Sequence, residues 1–408
     1  MTHVAVIGAG TIGLTTAWYL RERGVEVSVF EMEKPANGAS WGNAGQILPI
    51  KSVPLSEPGN LKYALKSFFK KSSPITAPNT LDANLISYFA HFIRNSTKKR
   101  HLLSANEMFQ LGKSTFNEFA YLESHGVDTT RTIAPFTSAF SSRVSANSVI
   151  AEFQRISAKS MELDFEMLNG FELRKREPLV EEHYDFGLQL NNQSFINPPQ
   201  LVSNLVASLQ LLGVEIKSKS KVKNVVRLSG KTQVLLENGK SQTFDAVVIA
   251  TGAWLNRLTA DHGVRMPVVA GIGYSMTVDV PHQTQGMLYF PESHLATTNY
   301  GNRLRISTFM QMGDVEIPRD PRRQNRLQQI AQNVIPQADW SSVSEFWSGA
   351  RPLSGDGKPL LGGTRTEGIY VNSGHGMWGI TLAPVSAKLL ADLITGKREI
   401  PKAFNPLR

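Results

Sequence analysis

The 408-residue sequence predicts an α/β protein in two parts: a parallel sheet wrapped by helices, and a second part built on an antiparallel sheet (α+β). Three observations carry that prediction. Residues 4–31, VAVIGAGTIGLTTAWYLRERGVEVSVFE, read as apolar run, glycine turn, helical period and second apolar run. Residues 244–254, FDAVVIATGAW, read as another buried strand ending in a small-residue turn. Between residues 267 and 312 the pattern changes to short alternating strands.

Composition sets the outer bounds. The length suits two parts with cores of their own. An apolar fraction of 41% and a charged fraction of 19% are those of a soluble globular chain. No apolar run reaches the roughly 18 residues of a membrane span, and the first residues lack the basic start of a signal peptide. The cytoplasm is the expected compartment. There is no cysteine, which excludes disulfides, thiolate metal sites and cysteine nucleophiles. The nine histidines show no metal-ligand spacing, so no metal is expected. Lys+Arg exceed Asp+Glu, 43 against 34. A basic balance of that size fits nucleic acid, an anionic membrane, an acidic substrate or solubility alone.

Taken in order, Val4 to Ile7 form the first strand. Gly8, Ala9, Gly10, Thr11, Ile12 and Gly13 follow as GxGxxG. In such a turn the first glycine permits the bend, the second lets the backbone approach a pyrophosphate, and the third lets helix and strand pack closely. The helix N-terminus then offers N–H groups and a positive dipole end to phosphates. Glu31 and Met32 end the second strand, with Glu31 placed for ribose hydroxyls. Together these features predict a dinucleotide site and leave open whether the ligand is NAD or FAD.

The next segment, through Ser40, Asn43, Ala44, Gly45 and Gln46, is a loop of small residues suited to close approach of a ligand. Residues 51–80 hold five lysines and four prolines and read as a crossing between the two parts. Residues 81–124 read as helical, from Leu85, Tyr88, Phe89 and Phe92 and then Phe116, Phe119 and Leu122. The basic-aromatic set Lys62, Lys66, Phe68, Phe69, Lys70, Lys71, with Lys98, Lys99 and Arg100, suits either peripheral contact with an anionic membrane or a solvated helix face. Leu201 to Leu212 form an amphipathic helix ending at Gly213, before a strand at 214–216. Val222 to Leu228 and Thr232 to Glu237 pair as a hairpin, and the strand to Ala250, Thr251, Gly252 and Trp254 follows. Alternating strands are expected at 274–280, 287–290, 295–299 and 304–308, and a helix at 321–335. The last stretch holds the segment of Arg351, a strand at 369–372, the turn Gly374, His375, Gly376, Met377, Trp378 and a helix that begins near Gly379, Ile380 and Thr381 and stops at Gly396.

Four segments, GAGTIG with Glu31, GASWGNAGQI, VVIATGAW, and the pair GARPLSGDGKPLLG and NSGHGMWGITLAP, resemble the D-amino-acid oxidase superfamily of FAD enzymes. That superfamily shares a glutathione-reductase-like Rossmann FAD fold. NAGQI and the late GHG are most similar to bacterial D-amino acid dehydrogenases of the flavin-subunit type. The resemblance runs end to end, with a loose match over 51–200. It implies an FAD-binding domain from 1–50, 196–266 and 345–408, and a substrate domain from 51–195 and 267–344.

The same resemblance implies the roles. Gly8, Gly10 and Gly13 hold the pyrophosphate and Glu31 the ribose. Ser40 and Asn43 to Gln46 lie along the pyrophosphate and flavin, Val222 on the adenine side, and Ala250 to Gly252 close over the cofactor. The Gly374-to-Thr381 turn points N–H groups at the flavin edge. Arg351 forks onto the substrate carboxylate, a task for an always-charged bidentate group. Tyr274 lines the pocket, His375 sits at the flavin edge, and His294 and Tyr300 are weaker pocket candidates. With no cysteine and no histidine in 32–50, the FAD is expected to be non-covalent. The implied reaction is oxidative deamination of a D-amino acid to a 2-oxo acid and ammonia, by hydride transfer from the substrate α-carbon to flavin N5. Rival readings are a glycine, sarcosine or cyclic imino acid oxidase or dehydrogenase, a tRNA-modifying flavoprotein, and a plain NAD protein. Oxygen, a quinone or a partner subunit all remain open as electron acceptor. Neither a nucleic-acid partner nor a metal belongs to the leading reading, and membrane contact, if any, is peripheral on the inner face.

Overall fold

The computed structural model describes residues 2–35, 37–61, 75–76, 82–157, 164–313, 315–316 and 321–408. Along the chain, β1 (His3–Ile7), α1 (Thr11–Glu22) and β2 (Glu26–Phe30) form the first unit. β3 (Gln46–Ile47) and a 3-10 turn (Pro49–Lys51) follow, then β4 (Ile75–Thr76). Three helices come next: α2 (Ala83–Asn95), α3 (Lys98–Gly112) and α4 (Thr115–Ser124). Asp82 and Thr97 cap the first two of these by accepting from the N–H of Leu85 and Arg100. The chain continues through β5 (Thr132–Phe140), α5 (Arg143–Ser157), β6 (Phe165–Asn169), α6 (Gly170–Arg176) and β7 (Phe186–Phe195). Then come α7 (Pro198–Leu211), β8 (Glu215–Lys217), β9 (Val222–Leu228), β10 (Lys231–Leu236), β11 (Ser241–Phe244) and β12 (Ala246–Ile249). A short α8 (Asn256–Thr259) leads to β13 (Val268–Asp279), β14 (Met287–Phe290), β15 (Leu295–Tyr300) and β16 (Arg303–Gly313). The last elements are α9 (Pro321–Val334), β17 (Asp339–Ser354), β18 (Leu360–Gly363), β19 (Ile369–Ser373) and α10 (Gly379–Ile394).

Two large sheets organise these elements. The first has the order β18-β19-β12-β1-β2-β8, parallel except for β18. β1 explains its construction. Val4 and Val6 face a core shared with α1, α7 and α10, while Ala5 and Ile7 face a second core that includes β9 and β10. A strand buried on both faces reads as an unbroken apolar run, which is why it was visible. The second sheet runs β17-β13-β16-β15-β14-β5-β7-β3.

The α/β class with an added sheet is as expected, and the alternating strands from 268 to 313 fall where the periodicity put them. Three features differ. The second sheet is not purely antiparallel, because β14 runs parallel to β5 and β16 parallel to β4. Residues 132–195 contribute strands β5, β6 and β7 that the sequence did not mark. Residues 339–354, with five serines, form one long strand to which the sequence reading assigns no element. Lys62, Lys66, Phe68, Phe69, Lys70 and Lys71 lie outside the described residues; Lys98, Lys99 and Arg100 open α3. Among the described residues, no helix is long and apolar enough to cross a membrane.

Candidate functional site

The glycine turn between β1 and α1 draws its predicted partners to it. Gly8 has φ +107°, and a Cβ on Gly13 would stand 1.9 Å from the Gly8 carbonyl oxygen, so helix and turn meet backbone to backbone. The Ala9 N–H donates to Glu31 Oε2 at 2.8 Å. The Thr11 N–H donates to Ser40 Oγ at 3.1 Å. α1 starts from Gly10 with no side-chain cap there; with the Thr11 N–H on Ser40, the N–H groups of Ile12 and Gly13 are the ones left to a ligand or solvent. Beside Glu31, its own N–H donates to Lys217 O and its carbonyl accepts from Ser220 N–H. That places the segment leading into β9, where Val222 is half-buried, beside the Glu31 backbone. Met32 is half-buried beside it.

The loop of residues 42–48 is fastened between the second sheet and the start of α10. Ser275 Oγ donates to Gly42 O at 2.8 Å, and Thr298 Oγ1 donates to Ala44 O at 2.6 Å. Gln46 Nε2 donates to Thr297 O, and Asn43 Oδ1 accepts from Gly45 N–H. Thr381, in the first turn of α10, donates to Gln46 O at 3.2 Å and accepts from Leu48 N–H at 3.4 Å. α10 has no side-chain cap at Trp378, so Gly379 and Ile380 also present an open first turn. Gly252, after β12, is held by Ser373 Oγ on its carbonyl, and Trp254 packs half-buried beyond it.

Arg351 lies on β17, opposite Gly271 of β13. Its guanidinium folds back over Gly273, where a Cβ would stand 2.3 Å from Cζ, so any larger residue there would push the guanidinium aside. Burial pushes its pKa down to about 10, and it remains a cation at neutral pH. β17 is tied to the C-terminal turn: Gly376 N–H donates to Pro352 O at 2.9 Å, and Leu353 bridges to His375. Arg351 and Gly374-His375-Gly376 are therefore brought together. A cavity beside them is lined by Val53, Leu55, Tyr88, Leu353, His375 and Met377, with Trp378 donating to Val53 O at its rim.

Several predicted residues sit differently. Tyr274 is fully buried, with Ile272 and Met276, in the core under α9, and its hydroxyl donates to Gln311 Oε1 at 3.1 Å. It is three positions from Gly271, and strand alternation turns it to the opposite face from Arg351. It therefore does not line a pocket beside Arg351. His375 is buried, and burial holds its pKa down at about 3, so it is neutral and no proton carrier near pH 7. The Ser386 hydroxyl donates to Leu382 O, which leaves His375 Nε2–H as donor to Ser386 Oγ at 3.1 Å and Nδ1 as an open acceptor. Tyr300 directs its hydroxyl to Ile196 O and stands against Gly45, as support for the loop. His294 is an exposed residue at the β14–β15 turn, with φ +49°.

Two residues escaped the sequence reading. Trp347, two positions before Gly349, lays its buried indole against Gly42 and Gly349, between the loop and the strand of Arg351. Lys51 sets its ammonium over two aromatic rings. A lysine among five in a polar stretch gives no sign of burial.

The segments fit the FAD that the resemblance implies. Thr11 Oγ1, Thr251 Oγ1 and His375 Nδ1 are buried with no hydrogen-bond partner, and they lie in three of the segments expected to meet the cofactor. Buried polar atoms are normally paired, so these three point to a polar ligand running from the first turn to the last.

A family model described as FAD dependent oxidoreductase (DAO) matches residues 3–393. Among solved structures, glycine oxidase from Geobacillus kaustophilus is similar at a TM-score of 0.75 and 21% identity, covering 98% of this chain and 96% of that one. L-proline dehydrogenase from P. horikoshii is similar at 0.74 and 15%, covering 100% and 97%. L-alpha-glycerophosphate oxidase from Mycoplasma pneumoniae, with FAD bound, is similar at 0.74 and 18%, covering 100% and 98%. At these identities the likeness is one of fold.

Proposed function

The chain belongs to the DAO family of FAD-dependent oxidoreductases, and from that premise we propose that it oxidatively deaminates a D-amino acid to a 2-oxo acid and ammonia. Bound FAD supplies the two-electron oxidant of the reaction. In this reading the β1–α1 turn, Thr11 and Ser40 hold the pyrophosphate and Glu31 the ribose. Residues 42–46, Thr251 and His375 hold the flavin end, and the open first turn of α10 steadies negative charge there.

The observation that carries the substrate assignment is Arg351, a desolvated cation bridged by its own strand to the His375 turn. A guanidinium so placed takes the α-carboxylate in a fork and fixes the α-carbon against the oxidant. With His375 held neutral and Tyr274 on the other face, positioning rather than a side-chain base supplies the rate in this proposal. A second reading, oxidation of glycine, sarcosine or a cyclic imino acid, is favoured by the fold-level likeness to glycine oxidase and L-proline dehydrogenase.

One experiment separates them. Anaerobic bleaching of the bound flavin by D- and L-amino acids, glycine, sarcosine and proline should be fastest with a D-amino acid. Faster bleaching by proline or sarcosine would transfer the assignment to the second reading. Arg351→Leu should retain yellow flavin and lose about 100-fold or more in kcat/KM, the scale of a charge-assisted bidentate contact. Unchanged kinetics would remove Arg351 from the site.

A further inference from the structure

A second cation shares the sheet face of Arg351. Lys51 ends the 3-10 turn that follows the 42–48 loop. Its Nζ lies 4.0 Å from the ring centroid of Tyr289 and 4.3 Å from that of Phe136. The register fixes where these rings point. Trp347 is opposite Ser275, Ser275 opposite Ser307, Ser307 opposite Ala296, and Ala296 opposite Tyr289. Residues in register share a face, so Tyr289 projects on the side of Trp347. By alternation that is also the side of Arg351.

Lys51 makes no side-chain hydrogen bond or ion pair among the described residues. The carboxylate acting on it from nearby, Glu152, is engaged with His101 Nε2 at 3.5 Å. His101 in turn has Nδ1 on Ser56 O, and Glu57 is the other acid of that group. The ammonium thus has ring faces for company and, among the described residues, no anion on a half-buried side chain, the condition of a cation awaiting an anion.

We propose that Lys51 is the second anion contact of the substrate site, so that the preferred substrate is an amino acid with an acidic side chain. Arg351 takes the α-carboxylate and Lys51 the side-chain carboxylate; the proposal thus rests on the reading of Arg351 given above. The strands of Gly273 and Tyr289 are three spacings apart, about 14 Å. Tyr289 is in register with Ser275, two residues from Gly273, and Arg351 folds back over Gly273, one strand nearer to Tyr289 than its own; the ligand proposed for this span is a small diacid with a hydrogen bond at each end. Burial holds the Lys51 pKa down at about 7, so half the free sites are neutral at that pH. A bound carboxylate favours the charged amine, so diacid binding takes up a proton and weakens above pH 7. Glu152, Glu57, His101 and Tyr289 are the other titratable groups around it; burial puts Tyr289 at about 12, outside the working range.

The test is equilibrium binding of glutarate and butyrate to the holoenzyme, read from the visible flavin spectrum at pH 6 and pH 8. Wild type should bind glutarate at least about tenfold tighter than butyrate at pH 6, with a smaller margin at pH 8. Lys51→Met should erase the margin, while Arg351→Leu should lose both acids. In turnover, D-glutamate should exceed D-norvaline by a similar factor in kcat/KM, and Lys51→Met should level them. Butyrate binding without a glutarate margin, or a margin that survives Lys51→Met, overturns the Lys51 proposal alone. Failure of both acids to bind wild type overturns the Arg351 reading and this proposal with it.

Discussion

Glu177 shows how far a single buried residue departs from its type. It is fully buried, accepting from Gln285 N–H at 3.1 Å and from the Thr137 hydroxyl at 3.4 Å. Desolvation outweighs both bonds and raises its pKa to about 7. An acid whose pKa is raised on folding favours the fold while protonated. That contribution is complete below the unfolded value near 4.5 and is lost as pH rises to about 7. Glu177→Gln keeps one acceptor oxygen, for the Gln285 N–H, and replaces the charge with a neutral amide whose NH2 can donate to the Thr137 hydroxyl. It should therefore raise thermal stability at pH 8, by up to about 3 kcal/mol, and change little at pH 4.5. Melting curves across that range check it, and an equal shift at both pH values would refute the assignment. Glu177, Lys51 and His375 share one reason why their protonation states are illegible in the sequence. Residue type and motif are written there, but burial is not. Arg351 and Glu31 could be singled out as candidates because their motifs carry them.

At the scale of elements, apolar period was legible and long-range pairing was not. α1 and β1 announced themselves, because α1 is buried from Thr11 to Leu20 at nearly every position and β1 is apolar on both faces. β5 did not, because Pro135 interrupts it at a bulge between Ala134 and Phe136. β17 did not, because its Ser, Gly and Pro residues lie along a sheet whose pairings are set far away in sequence. Tyr274 was misplaced for the same reason: the sequence named a tyrosine on the right strand, and only the register with β17 shows which way it faces. The glycine turn gives the sharpest test of an element. Gly13→Ala puts a methyl group into the Gly8 carbonyl, so α1 must move off β1. The expected cost is about 1–3 kcal/mol in stability, together with a fall in flavin-to-protein absorbance ratio. A variant that retained full flavin and stability would show that the close approach is not needed.

The two sheets meet through the segments assigned to the flavin. The 42–48 loop is bonded to Ser275, Thr297 and Thr298 of one sheet and to Thr381 of the helix packed on the other. The His375 turn joins β17, which belongs to the second sheet, to α10, which covers the first. A cofactor touching both segments is then a structural member of the whole molecule, and its binding free energy adds to the stability of the fold. Mass action sets the size: each tenfold rise in free FAD above its Kd adds about 1.4 kcal/mol. Protein stripped of flavin should melt below the holoenzyme and cleave faster within residues 42–48 under limited proteolysis. Its Tm should climb with the logarithm of added FAD. Lys51→Met should follow the same slope, since Lys51 is assigned to substrate, whereas Gly13→Ala should need more FAD for the same gain. A Tm indifferent to FAD would mean that the two sheets hold together without the cofactor, and would detach the loop and the turn from the flavin site.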